Sequence, residues 1–332
     1  MKVKILTEKE LRQVVRVDRA AVDIVEQAFG WLAEGRVAMP PIMHIEVAEH
    51  HGDVDIKSAY VSGLDRFAVK IGAGFFENPS LGLPSSPAMM VVLSARTGVA
   101  EAVLLDNAYL TDVRTGAAGA VAIRHLAPET VNTAGVVGTG AQGRYQILGL
   151  RCERAFQRLF AYDRDAESLE RYVAEMAEIL GVEVISASGP EEVVRSCDTV
   201  VTCTPSRQPY VRTEWLHPGL HITAMGADLP EKQELASEVA GRADIVVCDR
   251  RSQSFTMGEL HRPFEMGILS ENSPVAELGE IVIGKARGRS SKDQITLCDL
   301  SGTGVQDTAI AHLALQEAER RGLGTEIQMD GP

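Results

Sequence analysis

The sequence predicts an α/β protein in which a doubly wound parallel sheet forms one domain and an α+β fold forms another. At 332 residues the chain exceeds the usual size of one hydrophobic core, so we expect two domains. From residue 131 to about 300, apolar strand-like runs alternate with helical stretches, which is the pattern of a parallel sheet. Between His44 and Leu105, short β-rich runs separated by Gly, Pro and Asn indicate an antiparallel sheet.

The sequence predicts two helices in the N-terminal part of the first domain. Thr7 and Glu10 have the spacing of a capping box, which marks the start of a helix. Asp18 can cap a second helix, whose apolar residues recur on one face. These apolar residues are Val22, Val25, Phe29 and Leu32. We interpret both helices as structural.

The domain boundaries follow from the segments around the alternating region. An Ala-rich helix, roughly Asp112 to Leu126, leads into that region, and Pro128 marks its end. The final helix, about Gln306 to Arg321, carries Ile310, Leu313 and Leu315 and is expected to return to the first domain. We therefore predict one domain from residues 1–128 plus 305–332 and another from 129–304. The later strand candidates are Thr199 to Cys203, His221 to Met225, Ile245 to Cys248 and Ile295 to Cys298.

A glycine pattern opens the second domain. The apolar run from Ala134 to Val137 is followed by Gly138-Thr139-Gly140-Ala141-Gln142-Gly143, a helical segment and a second apolar run. In a Rossmann βαβ unit the first glycine makes a tight turn, the second lets the backbone approach a pyrophosphate, and the third allows close packing of helix and strand. The context predicts a dinucleotide site on the helix N-terminus.

The residue after the second apolar run bears on cofactor choice. Asp163 lies twenty residues beyond Gly143, where a carboxylate accepts hydrogen bonds from an adenosine ribose. A carboxylate repels a 2′-phosphate, so NAD(H) is favoured over NADP(H). Arg164 leaves the alternative open, because an arginine near this position can accept the phosphate.

Composition excludes several classes of function. The formal net charge of −13 argues against a nucleic-acid partner or an anionic membrane surface. The N-terminus has no signal-peptide core, and no apolar run approaches the length of a membrane span. The five cysteines are scattered without ligand spacing, which favours a reducing cytoplasm. His50 and His51 have no recognisable third ligand, so we predict no metal.

Three charged residues are candidates for chemistry. Asp228 follows the strand candidate that begins at His221, and the carboxyl ends of strands are where α/β sheets bind ligands. It could exchange a proton with an amine or imine while hydride moves at the adjacent carbon; the alternative is a loop carboxylate that caps a helix. Lys70 and Arg114, from the first domain, could clamp a substrate carboxylate in an interdomain cleft. Alternatively, each is a solvated surface charge.

Four segments together give the chain a specific resemblance. They are Leu105 to Ala118, Gly138 to Gln142, Met225 to Asp228 and Ser301 to Asp307. With these segments the whole chain resembles the ornithine cyclodeaminase/mu-crystallin family. Within that family, Ala38-Met39-Pro40-Pro41 and Asp53 to Lys57 are most similar to the branch of ectoine utilization cyclodeaminase-like proteins.

The resemblance implies a role for each matching position. Lys70 and Arg114 match substrate-carboxylate binders, and Asp228 matches the catalytic acid/base. It also implies an N-terminal domain that pairs two subunits through its sheet, completed by the C-terminal helix. The implied cofactor positions are Thr139 to Gln142 for the pyrophosphate, Asp163 for the ribose, Thr115 and Lys232 nearby, and Gly302-Thr303-Gly304 beside the nicotinamide.

Two departures from ornithine cyclodeaminases concern the substrate. Where those enzymes have an arginine after the Met-Pro segment, this chain has Ile42 and His44. Where they have a glutamate thirteen residues before the clamp lysine, an ungapped count reaches Lys57. A lysine repels the distal ammonium of ornithine and attracts a second carboxylate, which argues against ornithine.

The leading hypothesis is therefore an NAD(H)-linked enzyme that reduces a small α-imino acid to the L-amino acid. An imino-dicarboxylate such as iminosuccinate fits Lys57 and His44 as further substrate-binding residues. One alternative is a cyclodeaminase, which releases ammonia from a diamino acid without net change in NAD. Another is a non-catalytic, crystallin-like NAD(P)H-binding protein. We expect a cytoplasmic homodimer.

Overall fold

The computed structural model describes residues 1–75 and 77–329. The chain divides into two compact units: Met1–Arg114 together with the chain from Thr303 onward, and Thr115–Gly302. The first bound, between Arg114 and Thr115, falls inside the helix that the sequence placed before Pro128, whereas the sequence analysis put this boundary after residue 128. Of the predicted ranges, residues 76 and 330–332 lie outside the described residues.

The elements are numbered along the whole chain. The strands are β1 Lys2–Thr7, β2 Val37–Ala38, β3 Met43–Val47, β4 Gly52–Val61, β5 Arg66–Phe75, β6 Ala88–Ser94, β7 Ala100–Leu105, β8 Thr133–Val137, β9 Arg158–Tyr162, β10 Glu183–Ser186, β11 Thr199–Thr202, β12 His221–Ala224, β13 Ile245–Cys248, β14 Val275–Glu277, β15 Thr296–Asp299 and β16 Thr325–Gln328. The helices are α1 Glu8–Val14, α2 Arg19–Ala33, α3 Tyr109–Leu126, α4 Ala141–Glu153, α5 Ala166–Leu180, α6 Pro190–Ser196, α7 Ser237–Arg242, α8 Arg251–Met257, α9 His261–Glu265, α10 Leu278–Val282 and α11 Gly304–Arg320.

The sheet of the first unit is mixed. Its strands run in the order β16-β1-β7-β6-β5-β4-β2, and β3 also pairs with β4. The prediction of an antiparallel sheet is correct for β3 to β7, but β1 joins the same sheet parallel to β7. The sequence analysis missed β1 and β16, because a short strand pattern does not specify its partner or direction. Long-range pairing decides both.

The two N-terminal helices form as predicted. The carboxylate of Glu10 accepts hydrogen bonds from the backbone N–H (2.9 Å) and the hydroxyl (2.7 Å) of Thr7, which begins α1. Asp18 accepts a hydrogen bond from the backbone N–H of Ala21 at 3.2 Å and caps α2. The predicted apolar face of α2 is buried. These caps satisfy backbone donors that a helix N-terminus leaves without partners.

Helix α11 packs on the face of the first sheet formed by β4 and β5 and against α2. Val305 and Ala309 join the apolar cluster of that face. Between them, the Thr308 hydroxyl donates to the carbonyl of Ala59 (2.7 Å) and accepts from the backbone N–H of Ala68 (3.1 Å). One side chain therefore joins the helix to both strands, which fixes residues 306 and 307 over them.

The sheet of the second unit is parallel and doubly wound, as predicted. Its order is β10-β9-β8-β11-β12-β15-β13-β14, and its strand pairs are parallel. The chain reverses its direction of progress between β8 and β11, which is the point where open α/β sheets bind ligands. The predicted later strands match β11, β12, β13 and β15 to within one residue at each end.

The described residues contain neither a helix suited to a membrane nor a cluster suited to a metal ion. None of the helices in residues 1–75 and 77–329 is long and apolar enough to cross a membrane. Over the same residues, no group of three or more His, Cys, Asp and Glu side chains is arranged to hold a metal ion.

Candidate active site

The two cations singled out in the first unit converge on a carboxylate. Lys70 on β5 places its Nζ 3.3 Å from Oδ2 of Asp307, and Arg114 on α3 donates from Nε to Oδ1 of the same residue at 2.9 Å. Arg114 also donates from Nη1 to Oε1 of Gln306 at 3.0 Å. Lys70, Arg114 and Asp307 are all buried. The structure therefore rejects the interpretation of Lys70 and Arg114 as solvated surface charges.

The charged groups of this cluster shift one another's pKa values. Burial lowers the pKa of Lys70 to about 7; Asp307 opposes this effect, and the charges of Arg114 and Lys57 add to it. Burial alone would raise the pKa of Asp307, but the charges of Lys70, Arg114 and Lys57 lower it. Near neutral pH the cluster combines a buried anion with cations that are only partly compensated, and such an arrangement is suited to attract a carboxylate.

The turn at residues 106–108, just before α3, positions the start of the helix that carries Arg114. Asn107 and Ala108 have left-handed φ values of 49° and 69°, which non-glycine residues rarely adopt. The turn lets the buried Asp106 carboxylate accept a hydrogen bond from the backbone N–H of Leu110 at 2.9 Å. Burial raises the pKa of Asp106 to about 6. Backbone strain of this kind persists where surrounding contacts enforce it, and it is common at functional sites.

Asp307 and Gln306 were missed as site residues by the sequence analysis. Both lie in the first turn of α11 and are completely buried. A signal did exist, because two polar residues there interrupt the buried face that carries Val305, Ala309 and Ile310. A buried charge requires a partner of opposite charge, but the sequence pattern does not indicate which residue that partner is.

Lys57 and His44 lie on the first sheet. In the β4–β5 ladder Lys57 is directly opposite Lys70. His44 on β3 is opposite Asp55, and its Nδ1 is 2.8 Å from Oδ1 of that carboxylate. Because side chains alternate between faces along a strand, Asp55 and His44 lie on the same sheet face as Lys57 and Lys70.

The glycine loop of the second unit has the geometry expected of a dinucleotide site. Gly138 has φ +102°, and a Cβ there would lie 2.9 Å from the Cys203 carbonyl oxygen. A Cβ at Gly143 would collide with the carbonyl oxygen of Gly138. At Gly140, which precedes α4, a Cβ would have no atom within 4 Å. Gly138 and Gly143 therefore allow close packing. Gly140 leaves open space at a helix N-terminus, which fits a pyrophosphate.

Asp163 braces this loop. Its Oδ2 accepts hydrogen bonds from the backbone N–H (2.8 Å) and the hydroxyl (2.9 Å) of Thr139, and its Oδ1 accepts from the backbone N–H of Asp165 at 3.0 Å. Ser168 lies 2.9 Å from the Thr139 hydroxyl. The sequence correctly located the acid after β9, but it gave no indication that Thr139 is its partner.

Asp228 lies in the loop after β12, with its side chain 51% exposed and its Oδ1 2.5 Å from Nζ of Lys232. Behind the loop, the buried Glu234 accepts hydrogen bonds from the backbone N–H groups of Gly226 (2.9 Å) and Thr204 (2.6 Å) and from the Tyr210 hydroxyl (2.6 Å). Glu234 thus joins the ends of β11 and β12. It positions the segment that carries Asp228, and it was also missed by the sequence analysis.

The remaining predicted cofactor residues have defined places. The carbonyl of Thr115 on α3 accepts a hydrogen bond from the Gln146 side chain at 2.8 Å. Gly302, with φ +83°, donates its N–H to the buried Asp249 at 2.6 Å. Ala141 and Gln142 begin α4, and Thr303 is the residue before α11. Their proposed contacts with a cofactor stay predictions.

Comparison with known proteins supplies chemical context. An uncharacterized cyclodeaminase of Sinorhizobium fredii is 45% identical over 97% of this chain and 98% of its own length. Alanine dehydrogenase of Archaeoglobus fulgidus is 36% identical over 99% of both chains. Iminosuccinate reductase of Paracoccus denitrificans is 29% identical over 98% of this chain and 99% of its own length.

Solved structures of related enzymes share this fold across nearly the whole chain. An archaeal alanine dehydrogenase dimer with bound NAD has a TM-score of 0.92 at 34% identity, covering 99% of this chain and 100% of that one. Thermococcus litoralis Δ1-pyrroline-2-carboxylate reductase, in complex with NADH and L-proline, has a TM-score of 0.92 at 29% identity, covering 97% and 99%. The model of the ornithine cyclodeaminase/mu-crystallin family matches residues 1–321. The family resemblance noted in the sequence is thereby confirmed, and this chain belongs to the ornithine cyclodeaminase/mu-crystallin family.

Proposed function

We propose that this protein uses NAD(H) to reduce a small α-imino acid to the corresponding L-amino acid. The observation that carries the proposal is the buried pair of Lys70 and Arg114 on Asp307. Burial of two cations around one anion is costly, because both cations lose their hydration. We infer that the arrangement serves to bind a ligand. A substrate carboxylate restores the missing negative charge.

The second unit supplies the cofactor site. The segment from Thr139 to Gln142 would hold the pyrophosphate at the start of α4, and Asp163 would accept hydrogen bonds from the ribose. When bound, NADH supplies a hydride to the imine carbon. This assignment accords with the relatives, whose solved structures contain NAD or NADH.

Lys70 and Arg114 bind the substrate, and Asp228 handles its proton. Lys70 and Arg114 bind the α-carboxylate and thereby orient the adjacent C=N bond, which is the main contribution a protein makes to hydride transfer. Asp228 transfers a proton to the nitrogen as the carbon accepts the hydride. The balance is one imine, one NADH and one proton giving one amine and one NAD⁺.

Cyclodeamination is the second candidate, and one observation favours it. The relative at 45% identity is named a cyclodeaminase. The same clamp and carboxylate would serve, but the reaction would release ammonia from a diamino acid without net consumption of cofactor. Stoichiometry therefore separates the two candidates.

The test follows NADH absorbance with purified protein and α-imino acids formed in situ from pyruvate, glyoxylate or oxaloacetate with ammonia. A parallel assay measures ammonia released from ornithine and diaminobutyrate with NAD⁺. We expect stoichiometric NADH oxidation that requires both the oxo acid and ammonia. Ammonia release without net NADH change would establish the cyclodeaminase instead, and NADH binding without either reaction would favour a crystallin-like binding protein.

We further propose that the protein is a homodimer formed through the outer face of the first sheet. Large apolar side chains are exposed on the face opposite α11, and an exposed apolar patch usually marks an interface. A second copy of the same face would cover it, as in an isologous dimer. The alanine dehydrogenase relative was solved as a dimer. The exposed residues are Met43, Ile45, Tyr60, Met89 and Leu105.

Sedimentation velocity tests this assembly. The double variant Tyr60→Glu/Met89→Glu should sediment as a monomer, because two carboxylates would be buried in each half of the interface. Ile179→Glu, at an exposed position on α5, is the matched control and should leave the dimer intact. A dimeric double variant would contradict the proposed interface. The five cysteines are scattered along the chain without ligand spacing, which is compatible with the cytoplasm that we propose as the location.

A further inference from the structure

The ladder between β4 and β5 brings a second lysine beside the carboxylate clamp. Lys57 and Lys70 are register partners, so their side chains leave the same face of the sheet. The Cβ atoms of directly opposed residues lie about 4.5–5.5 Å apart. Lys57 is also close enough to affect the pKa of both Lys70 and Asp307. Two lysines and Arg114 thus gather around Asp307.

The sheet surface next to the two lysines is open. Gly72 follows Lys70 on the same face of β5, and a Cβ there would meet only Ala88 Cβ and Lys70 Cε, both at 3.9 Å. At this position the sheet presents no side chain of β5 beside Lys70 and Lys57. A small ligand held by Lys70 and Arg114 therefore has space to extend along β5.

Charges of both signs border this open area, and its cations gather at the end formed by Lys57 and Lys70. Across the ladder from Gly72 lies Asp55, whose carboxylate is paired with His44 at 2.8 Å. The Asp55 hydrogen bond is the main cause that raises the pKa of His44, and the charges of Asp53 and Glu46 act in the same direction. A distal ammonium would meet Lys57 at the same end of the cluster and would be repelled.

We propose that Lys57 binds a second carboxylate of the substrate, so that the preferred substrate is a short imino-dicarboxylate rather than a monocarboxylate or a diamino acid. This inference rests on the proposed reduction of α-imino acids. In this arrangement the α-carboxylate of a four-carbon dicarboxylate binds Lys70 and Arg114, and its distal carboxylate binds Lys57. Lys57 then determines specificity, whereas its effect on the pKa of Lys70 applies to monocarboxylate and dicarboxylate substrates alike.

The experiment compares wild type, Lys57→Met and Lys57→Arg, with Lys9→Met as the control that removes an exposed lysine of α1. Values of kcat/KM for NADH oxidation are measured with oxaloacetate plus ammonia and with pyruvate plus ammonia. Because Lys57→Met removes a charge-assisted hydrogen bond to the distal carboxylate, it should lower kcat/KM for the dicarboxylate about 10- to 100-fold. The value for the monocarboxylate should change less than about threefold, and Lys57→Arg should recover part of the loss.

A binding measurement separates this inference from the proposed function. Calorimetric titration of the NADH-loaded protein with L-aspartate or L-alanine forms complexes that cannot react, and we expect aspartate to bind more tightly only when residue 57 is cationic. Equal affinities for the two amino acids, or an equal loss for both substrates in Lys57→Met, would overturn the dicarboxylate assignment and leave imine reduction intact. Failure to reduce any imino acid would instead contradict the proposed function.

Discussion

Asp228→Asn is expected to lower kcat for imine reduction by about 10²- to 10⁴-fold, the usual contribution of a general acid or base. Asparagine has nearly the same shape, but it has no proton to transfer and no charge to pair with Lys232. The backbone of the loop should keep its place, because Glu234 holds Gly226 and Thr204 independently of Asp228. The dissociation constant for NADH, measured by fluorescence titration, should therefore change little.

Glu231→Gln is the matched control for this substitution. Glu231 lies on the same loop and pairs with Arg207 at 3.7 Å, so the variant also removes a loop carboxylate. We expect its kcat to stay within about twofold of wild type, since surface ion pairs contribute little. Undiminished turnover in Asp228→Asn would remove Asp228 from the mechanism.

Asp307→Asn should be among the most destabilising single substitutions in the first unit. It leaves Lys70 and Arg114 buried without their shared anion, and breaking a buried pair in this way costs about 3–5 kcal/mol. Loss of the proton from Lys70 can relieve part of that penalty, so we expect a decrease of about 3 kcal/mol in the free energy of unfolding. Urea denaturation with NADH absent measures it.

The same variant should change the pH dependence of catalysis. Lys70 must be protonated to bind a carboxylate, and its pKa is about 7 in the wild type. The kcat/KM value should therefore fall as the pH rises through about 7. Without Asp307, which raises the pKa of Lys70, its neighbours Arg114 and Lys57 both lower it, while Asp106 is another acid close to Lys70. The decline should begin at a lower pH in Asp307→Asn.

Glu319→Gln on the same helix provides the comparison. Glu319 pairs with Arg66 at 2.9 Å, but both side chains are partly exposed. Its loss should cost less than about 1 kcal/mol and should leave the pH profile unchanged. A purely structural role for Asp307 would lower stability without moving the decline in kcat/KM, and that result would contradict its proposed influence on Lys70.

Features of this protein that depend on local spacing can be predicted from the amino-acid sequence. Gly138, Gly140 and Gly143 act through backbone conformation and the absence of a Cβ, so their pattern predicts the loop. Alternation of strands and helices predicts a parallel sheet, and the acid at residue 163 follows from its distance along the chain. The family also follows from short segments, whereas the closer placement within the ectoine branch stays a prediction.

Which charged side chains meet depends on how distant segments of the chain pack together. Nothing in the spacing of Lys70, Arg114 and Asp307 brings them together, since they lie on β5, α3 and α11 and are joined only when the last helix returns to the first sheet. The position of Lys57 opposite Lys70 likewise depends on strand register, and a shift of one residue would turn its side chain to the other face. Local patterns specify conformation, but electrostatic partnership depends on distances that only the folded chain sets.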